Sequence, residues 1–190
     1  IVSGTVHAFD IEPEMIELLR EKSRQLQLEN IEFHLCDFIA FGSGYGTFAI
    51  PAAQIVSGTV HAFDIEPEMI ELLRVKSQQL KLENIEFHLC DFIAAGSGLE
   101  TNSVDYMMLF NILHHSQPTQ ILSETYRILK PGAKAGIIHW RSDISTPRGP
   151  QLDIRPKPED CKRWADESGL KTIKELLLEP YHFGLIIQKL

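Results

Sequence analysis

Cysteine is scarce in this sequence: Cys36, Cys90 and Cys161 are the only three. Cys36 and Cys90 occupy the same place in two near-identical segments, so the pattern is neither a disulfide framework nor a zinc-ligand spacing. A reducing, cytoplasmic setting fits it. Clustered positive charge is missing as well. The formal charge is −8, and the basic residues are scattered. Scattered cations cannot form the stripe that tracks a phosphate backbone, so nucleic acid is not an expected partner. No apolar run approaches the roughly 20 residues that span a bilayer, and no signal peptide is visible, so no membrane partner is expected. Low-complexity tracts are also lacking. With 44% hydrophobic residues in a chain of 190, one well-buried domain spanning 1–190 is expected. The first residue is Ile rather than Met, which leaves a fragment, a processed product and an engineered chain all open.

What is present in excess is repetition. Residues 1–44 and 55–98 align without gaps and differ only at Glu21/Val75, Arg24/Gln78, Gln27/Lys81 and Phe41/Ala95. Ancient repeats drift further than that, so the duplication reads as recent or man-made. Two copies are too few for a solenoid. Each copy reads as strand, helix, strand. "GTVHAFDI" is β-branched and aromatic, "EPEMIELLR" starts a helix with Pro inside its first turn, and "NIEFHLCDF" returns as a strand. Ile70, Leu73 and Leu80 recur at helical spacing and predict the buried stripe.

The alternation continues through "SVDYMMLFNILHH", "PTQILSETYRILKPG" and "AKAGIIHW". An 18-residue Pro-rich loop, "RSDISTPRGPQLDIRPKP", precedes the helix "EDCKRWADESGL" and a closing antiparallel pair. Strands alternating with helices predict a doubly wound α/β fold, a three-layer sandwich around a mostly parallel, Rossmann-like sheet.

The chemistry-bearing motif is "FGSGYG", in which Gly42, Gly44 and Gly46 surround Ser43 and Tyr45. Glycines there let the backbone turn sharply and approach a ligand closely, with a helix following. Asp64 ends the next strand and Ile65 follows it. A carboxylate at that place either accepts from both hydroxyls of a ribose or complements the dipole of its own helix. Asp91 and Phe92 end the following strand, and read either as an adenine site or as a loop carboxylate and a core ring. Asp10 is the twin of Asp64 but has no glycine loop before it, so it should not bind. The second "GSG", at 96–98, is followed by polar residues and reads as a turn.

These residues resemble a class I S-adenosylmethionine-dependent methyltransferase over about 41–190, behind a duplicated unit at 1–40. "FGSGYG" resembles the glycine motif, "VHAFDIEPEMI" the ribose strand end, "FHLCDFIA" the adenine strand end, and "VDYMMLFNILHH" with "ILSETYRILKPGAKAGIIHW" the fourth strand to the fifth. The resemblance implies a seven-stranded sheet with an antiparallel last strand and S-adenosyl-L-methionine over the carboxyl ends of its first strands. It implies methyl transfer to a small-molecule acceptor. Cofactor contacts would come from Gly42, Ser43, Gly44, Tyr45, Gly46, Asp64, Ile65, Asp91, Phe92 and Asn111. His114 and His115 follow Asn111 at the pocket mouth, where a His pair acts as a base, binds a metal or caps the loop. His139 leads into the long loop, read as a substrate-facing lid. Arg141 and Arg148 in that loop either hold an anionic acceptor or are solvated. His115, His139 and Arg148 stand as the candidate catalytic residues; no metal set is drawn, and His182 reads as structural.

One position departs from the pattern. The family usually carries a carboxylate two places before the first motif glycine, and this chain has Ala40. A strand of the third-position type leads into the loop where the family's first strand belongs, which predicts that Asp37 is drawn into the sheet at a cost. The first copy is expected at a sheet edge, swapped into a homodimer, or loose. Two other readings stay open: a recombined or designed scaffold without catalysis, and a nicotinamide-dependent oxidoreductase, which would prefer G-x-G-x-x-G.

Overall fold

Seven segments of the chain between Phe38 and Lys189 are extended enough to pair, and they pair into one sheet. The structure is a computed structural model that describes residues 37–190. Expectations for the first repeat copy before Asp37 (its edge placement, the swapped homodimer, the idle Asp10) lie outside the described residues. The strands are β1 (Phe38–Phe41), β2 (Val60–Asp64), β3 (Ile85–Leu89), β4 (Val104–Phe110), β5 (Leu129–Trp140), β6 (Leu170–Leu178) and β7 (His182–Lys189). Their spatial order is β3-β2-β1-β4-β5-β7-β6. Strands β1 to β5 run parallel, and β7 is antiparallel to both neighbours. The helices are α1 (Ala49–Ile55), α2 (Pro67–Gln79), α3 (Phe92–Ala95), α4 (Pro118–Ile128) and α5 (Pro158–Glu167). This is the expected doubly wound, Rossmann-like α/β fold. Strand order reverses between β1 and β4, and that reversal opens a crevice at the carboxyl rim of the sheet.

Strand β1 shows why the sheet must be covered on both faces. Phe38 and Ala40 enter a cluster with Ala49, Ala52, Val60, Ala62 and Leu73 on one side. Ile39 and Phe41 enter another with Phe63, Phe92, Met107, Ile121 and Leu122 on the other. All four residues of β1 are buried, and each large side chain removed from water contributes about 1.5–3 kcal/mol. Among the described residues no helix is long and apolar enough to cross a membrane.

Three expectations are corrected. Among the described residues, the strand in the central slot is Phe38–Phe41, which shares only Phe38 with "FHLCDF". Asp37 therefore sits at the strand's start rather than inside the sheet. Its Oδ1 accepts from Thr59 N at 2.8 Å, and its own N–H donates to Asp105 Oδ2 at 3.0 Å, so no unpaired carboxylate is buried. Leu80 does not extend the buried stripe and is 49% exposed. Helix α2 stops at Gln79, the chain turns through Lys81 at φ +56°, and Ser77 takes the buried position instead.

Candidate active site at the carboxyl rim

The glycine loop leaves β1 and makes three left-handed steps: φ is +66° at Gly42, +48° at Gly44 and +81° at Gly46. Each step favours glycine for lack of a Cβ. Gly46 has a second reason, because a Cβ there would lie 2.2 Å from Leu73 Cδ1. At Gly44 a Cβ would meet nothing within 4 Å, so that glycine faces open space.

Asp64 ends β2 beside this loop. It is 8% exposed, its Oδ2 accepts from Gly44 N at 2.7 Å, and its Oδ1 accepts from Glu66 N at 3.1 Å. The carboxylate thus shapes the loop and opens the following helix. Each oxygen keeps a lone pair for a hydroxyl donor. Ile65, next along, is 61% exposed at the rim, an apolar surface beside a carboxylate. Tyr45 packs against α2, its carbonyl accepting from Lys76 Nζ and its ring lying under the same ammonium.

Two buried side-chain oxygens near the rim have no hydrogen-bond partner, Ser43 Oγ and Asn111 Oδ1. Buried polar atoms are nearly always satisfied, so each points to something the protein alone does not supply. Asn111 follows β4 at φ +55°, a conformation Asn tolerates better than most residues. The repeat supplies an internal comparison for Ser43. Its counterpart, Ser97, donates from Oγ to Glu124 Oε1 at 2.6 Å and from N at 2.8 Å. The second "GSG" is thus a turn anchored to α4 by a carboxylate. The first copy has the same serine and no such anchor.

Asp91 caps α3, with Oδ1 accepting from Ile93 N and Ala94 N at 3.1 Å each. Its Oδ2 takes no part in the cap. Phe92, in contrast, is a core residue. It is 5% exposed and stacked on Phe41 at 3.7 Å, so its ring is unavailable to a base.

Among the histidines, His139 departs from expectation. His139 is fully buried and therefore cannot touch a substrate. Its Nδ1 lies 3.3 Å from Trp140 O, and its Nε2 lies 3.3 Å from His114 Nδ1. A carbonyl only accepts, so His139 carries its proton on Nδ1, its Nε2 accepts from His114 Nδ1–H, and His114 Nε2 is left as a lone pair. Burial pushes His139 down to about 4, and His114 is lowered by burial and by His115. Both rings are neutral near pH 7. His115 is exposed, and its Nδ1 accepts from Gln117 N at 3.2 Å, the loop-capping role.

Arg148 is exposed, and its carbonyl accepts from Thr146 Oγ1. Arg141 is engaged by both oxygens of Asp143 at 2.9 and 2.7 Å, so it is not a free anion clamp. The residue that organises the long loop is one the motifs did not single out. Arg155 is 8% exposed and donates to the carbonyls of Pro150 and Arg141, with a longer reach to Arg148 O. In the sequence it is one of four cations in the proline-rich run, with nothing to set it apart from Arg141, Arg148 and Lys157. His182 is buried against Trp140 at 4.1 Å, in keeping with a structural role.

The methyltransferase domain family matches residues 38–132, half of the chain. An arsenite methyltransferase of Halobacterium salinarum is 28% identical over 145 residues, 70% of this chain and 37% of that protein. An uncharacterised methyltransferase-like protein of Schizosaccharomyces pombe is 28% identical over 109 residues, 57% and 40% respectively. The chain thus spans about two fifths of the length of these curated relatives. A SAM-dependent methyltransferase from Aquifex aeolicus superposes with a TM-score of 0.78 at 22% identity, covering 95% of this chain and 100% of that one. With β3-β2-β1-β4-β5-β7-β6 topology and a glycine loop held by Asp64, the chain belongs to the methyltransferase domain family and has the class I, Rossmann-like fold of S-adenosylmethionine-dependent methyltransferases.

Proposed function

We propose that this chain binds S-adenosyl-L-methionine across the glycine loop and positions its methyl group for transfer to a small-molecule acceptor. The observation that carries the reading is the Asp64–Gly44 clamp at 2.7 Å, flanked by the unpartnered oxygens of Ser43 and Asn111. The residues fit the cofactor. Asp64 has lone pairs left for ribose hydroxyls, Gly44 leaves room for close approach, and Ile65 offers an apolar face to a base. Asp91 Oδ2, left out of the helix cap, is the acceptor for an exocyclic amine in this reading. Gly42 and Gly46 hold the loop's shape, and Tyr45 braces it on α2.

The family's carboxylate is absent, since Ala40 is 4% exposed inside β1. Asn111 Oδ1 supplies an acceptor in its place for the methionine ammonium, and Ser43 Oγ a donor for the carboxylate. When bound, the cofactor supplies an activated methyl on a sulfonium. The chain's part is orientation and exclusion of water, which can account for several kcal/mol of barrier. His114 Nε2, unprotonated near pH 7, is the base that takes a proton from the acceptor. His139 positions that ring from below.

The metalloid acceptor of the Halobacterium relative is not favoured. Among the described residues Cys161 is fully buried, with burial pushing its thiol up to about 12, and Cys90 Sγ lies against Gly96 O. Such thiols are poor soft-metal ligands.

Calorimetric titration with S-adenosylmethionine, S-adenosylhomocysteine and NAD tests the reading. Saturable binding of the first two without NAD is expected. Asn111→Gly, which keeps the backbone conformation, should weaken binding roughly 10-fold, about the worth of one hydrogen bond to a charged group. Binding of NAD alone, or an unchanged Asn111→Gly affinity, would count against it.

A further inference from the structure

A second convergence of polar side chains lies away from the glycine loop, on the sheet face at β2 and the neighbouring β3. His61 pairs in register with Glu86, and His88 lies two residues beyond Glu86, so all three side chains share one face. His61 Nδ1 is 3.1 Å from His88 Nε2 and 3.2 Å from Glu86 Oε2, and the latter two are 3.8 Å apart. In a tetrahedral zinc site with bonds of about 2.0–2.1 Å, neighbouring donor atoms stand about 3.3–3.4 Å apart. The three separations bracket that edge.

Protons alone serve this geometry poorly. His61 Nδ1 faces two acceptor atoms, and one hydrogen cannot bond linearly to both. If His88 Nε2 bears the proton instead, His61 Nδ1 and the carboxylate face each other as lone pairs. A cation at the centre satisfies all three. The ligands are also partly pre-set. The His88 ring is stacked on Phe63 at 4.2 Å and 9°, and Phe63 is itself fully buried. The His61 and His88 side chains are 14% and 26% exposed, and Glu86 is 61% exposed, so the site is held from below and open to solvent.

We propose that His61, Glu86 and His88 form a zinc(II) site, with water as the fourth ligand, that clamps β3 to β2. The site uses none of the residues assigned to the cofactor: His61 lies three residues, about 10 Å, back along β2 from Asp64, and His88 pairs with Phe63, one residue from it. Two His and one carboxylate with an open position suit zinc over calcium or magnesium, which prefer all-oxygen shells. The strand signature is a His on one strand and Glu-x-His on the next, and alternation puts the latter pair on one face. The first repeat copy carries the same residue types at 7, 32 and 34, so the test must silence them.

The experiment uses the full 190-residue chain carrying His7→Asn and His34→Asn. Zinc titration should give one equivalent, and cobalt substitution should give the visible absorption of a tetrahedral site. Zinc should also raise the melting temperature of this background. Adding His88→Asn should weaken binding by roughly 100-fold or more, beyond the 10–100-fold typical of lost second-shell support. Glu86→Gln, at an exposed position, keeps the fold testable and should weaken binding and abolish the thermal gain. No binding by the background chain, or affinity unchanged in both His88→Asn and Glu86→Gln, would overturn the proposal.

Discussion

His139 carries the largest electrostatic statement made by a single residue of the site. It is fully buried and held down to about 4, chiefly by desolvation, while an unfolded histidine titrates near 6.5. Between those values the unfolded chain binds the proton and the folded chain refuses it. Stability is therefore complete above about pH 6.5 and falls as pH drops toward 4. The loss from this one group is about 2 kcal/mol at pH 5. Urea unfolding at pH 7 and pH 5 measures it. His139→Gln should be less stable at pH 7, because the His114 partner is lost, yet show a shallower fall between the two pH values. An equal fall in both proteins would mean the ring is not the titrating group. The sequence could offer His139 as a candidate but not its role, because nothing in "IIHW" says that the ring points beneath the pocket rather than into it.

At the scale of the element, the repeat is an experiment already done. Residues 37–44 and 91–98 differ only by Phe41 against Ala95. The first run is a buried central strand followed by the glycine loop; the second is a capped helical turn tied to α4. The shared aspartate changes partners with the element. Asp91 accepts from the N–H groups of Ile93 and Ala94 and starts a helix, whereas Asp37 accepts from Thr59 across the sheet. Propensity cannot separate these outcomes; tertiary partners do. The loop that follows β1 also separates stability from binding. Gly46→Ala meets Leu73 at 2.2 Å in a left-handed conformation, a combined cost of about 2–4 kcal/mol. Thermal melting should fall by on the order of 10 °C. Gly44→Ala meets no atom and should lower the melting temperature less while weakening S-adenosylmethionine binding. The opposite ranking would show that Gly44 does not face the ligand.

Over the whole molecule, the C-terminal strand closes the fold through a buried ammonium. Lys189 Nζ, at the end of β7, donates to Asn102 Oδ1 at 2.7 Å, Tyr126 O at 2.6 Å and Leu129 O at 2.9 Å. These acceptors lie 60 to 87 residues earlier in the chain, so the contact ties the last strand to the loop before β4 and to the end of α4. Lys189→Met keeps the stem's packing but takes the ammonium donor away from three acceptors, a loss of about 2–3 kcal/mol. Chemical denaturation should register that loss while leaving cofactor affinity unchanged, since the network lies at the opposite end of the strands from the glycine loop. The order of elements from β2 onward was legible because α/β alternation leaves a strong periodic signature. Lys189 was not, because an ammonium near a chain end is ordinarily solvated.

The residues alone determined the class of fold, the glycine loop and the acidic strand end, since backbone freedom at Gly42–Gly46 and a carboxylate 18 places later are local chemistry. Tertiary structure decided which near-identical segment became the central strand, that Phe92 belongs to the core, and that His139 supports rather than touches. It also brought His61, Glu86 and His88 together. The reason is the same in each case: burial and partners are set by neighbours distant in sequence, and one motif placed in two neighbourhoods can minimise its free energy in two ways.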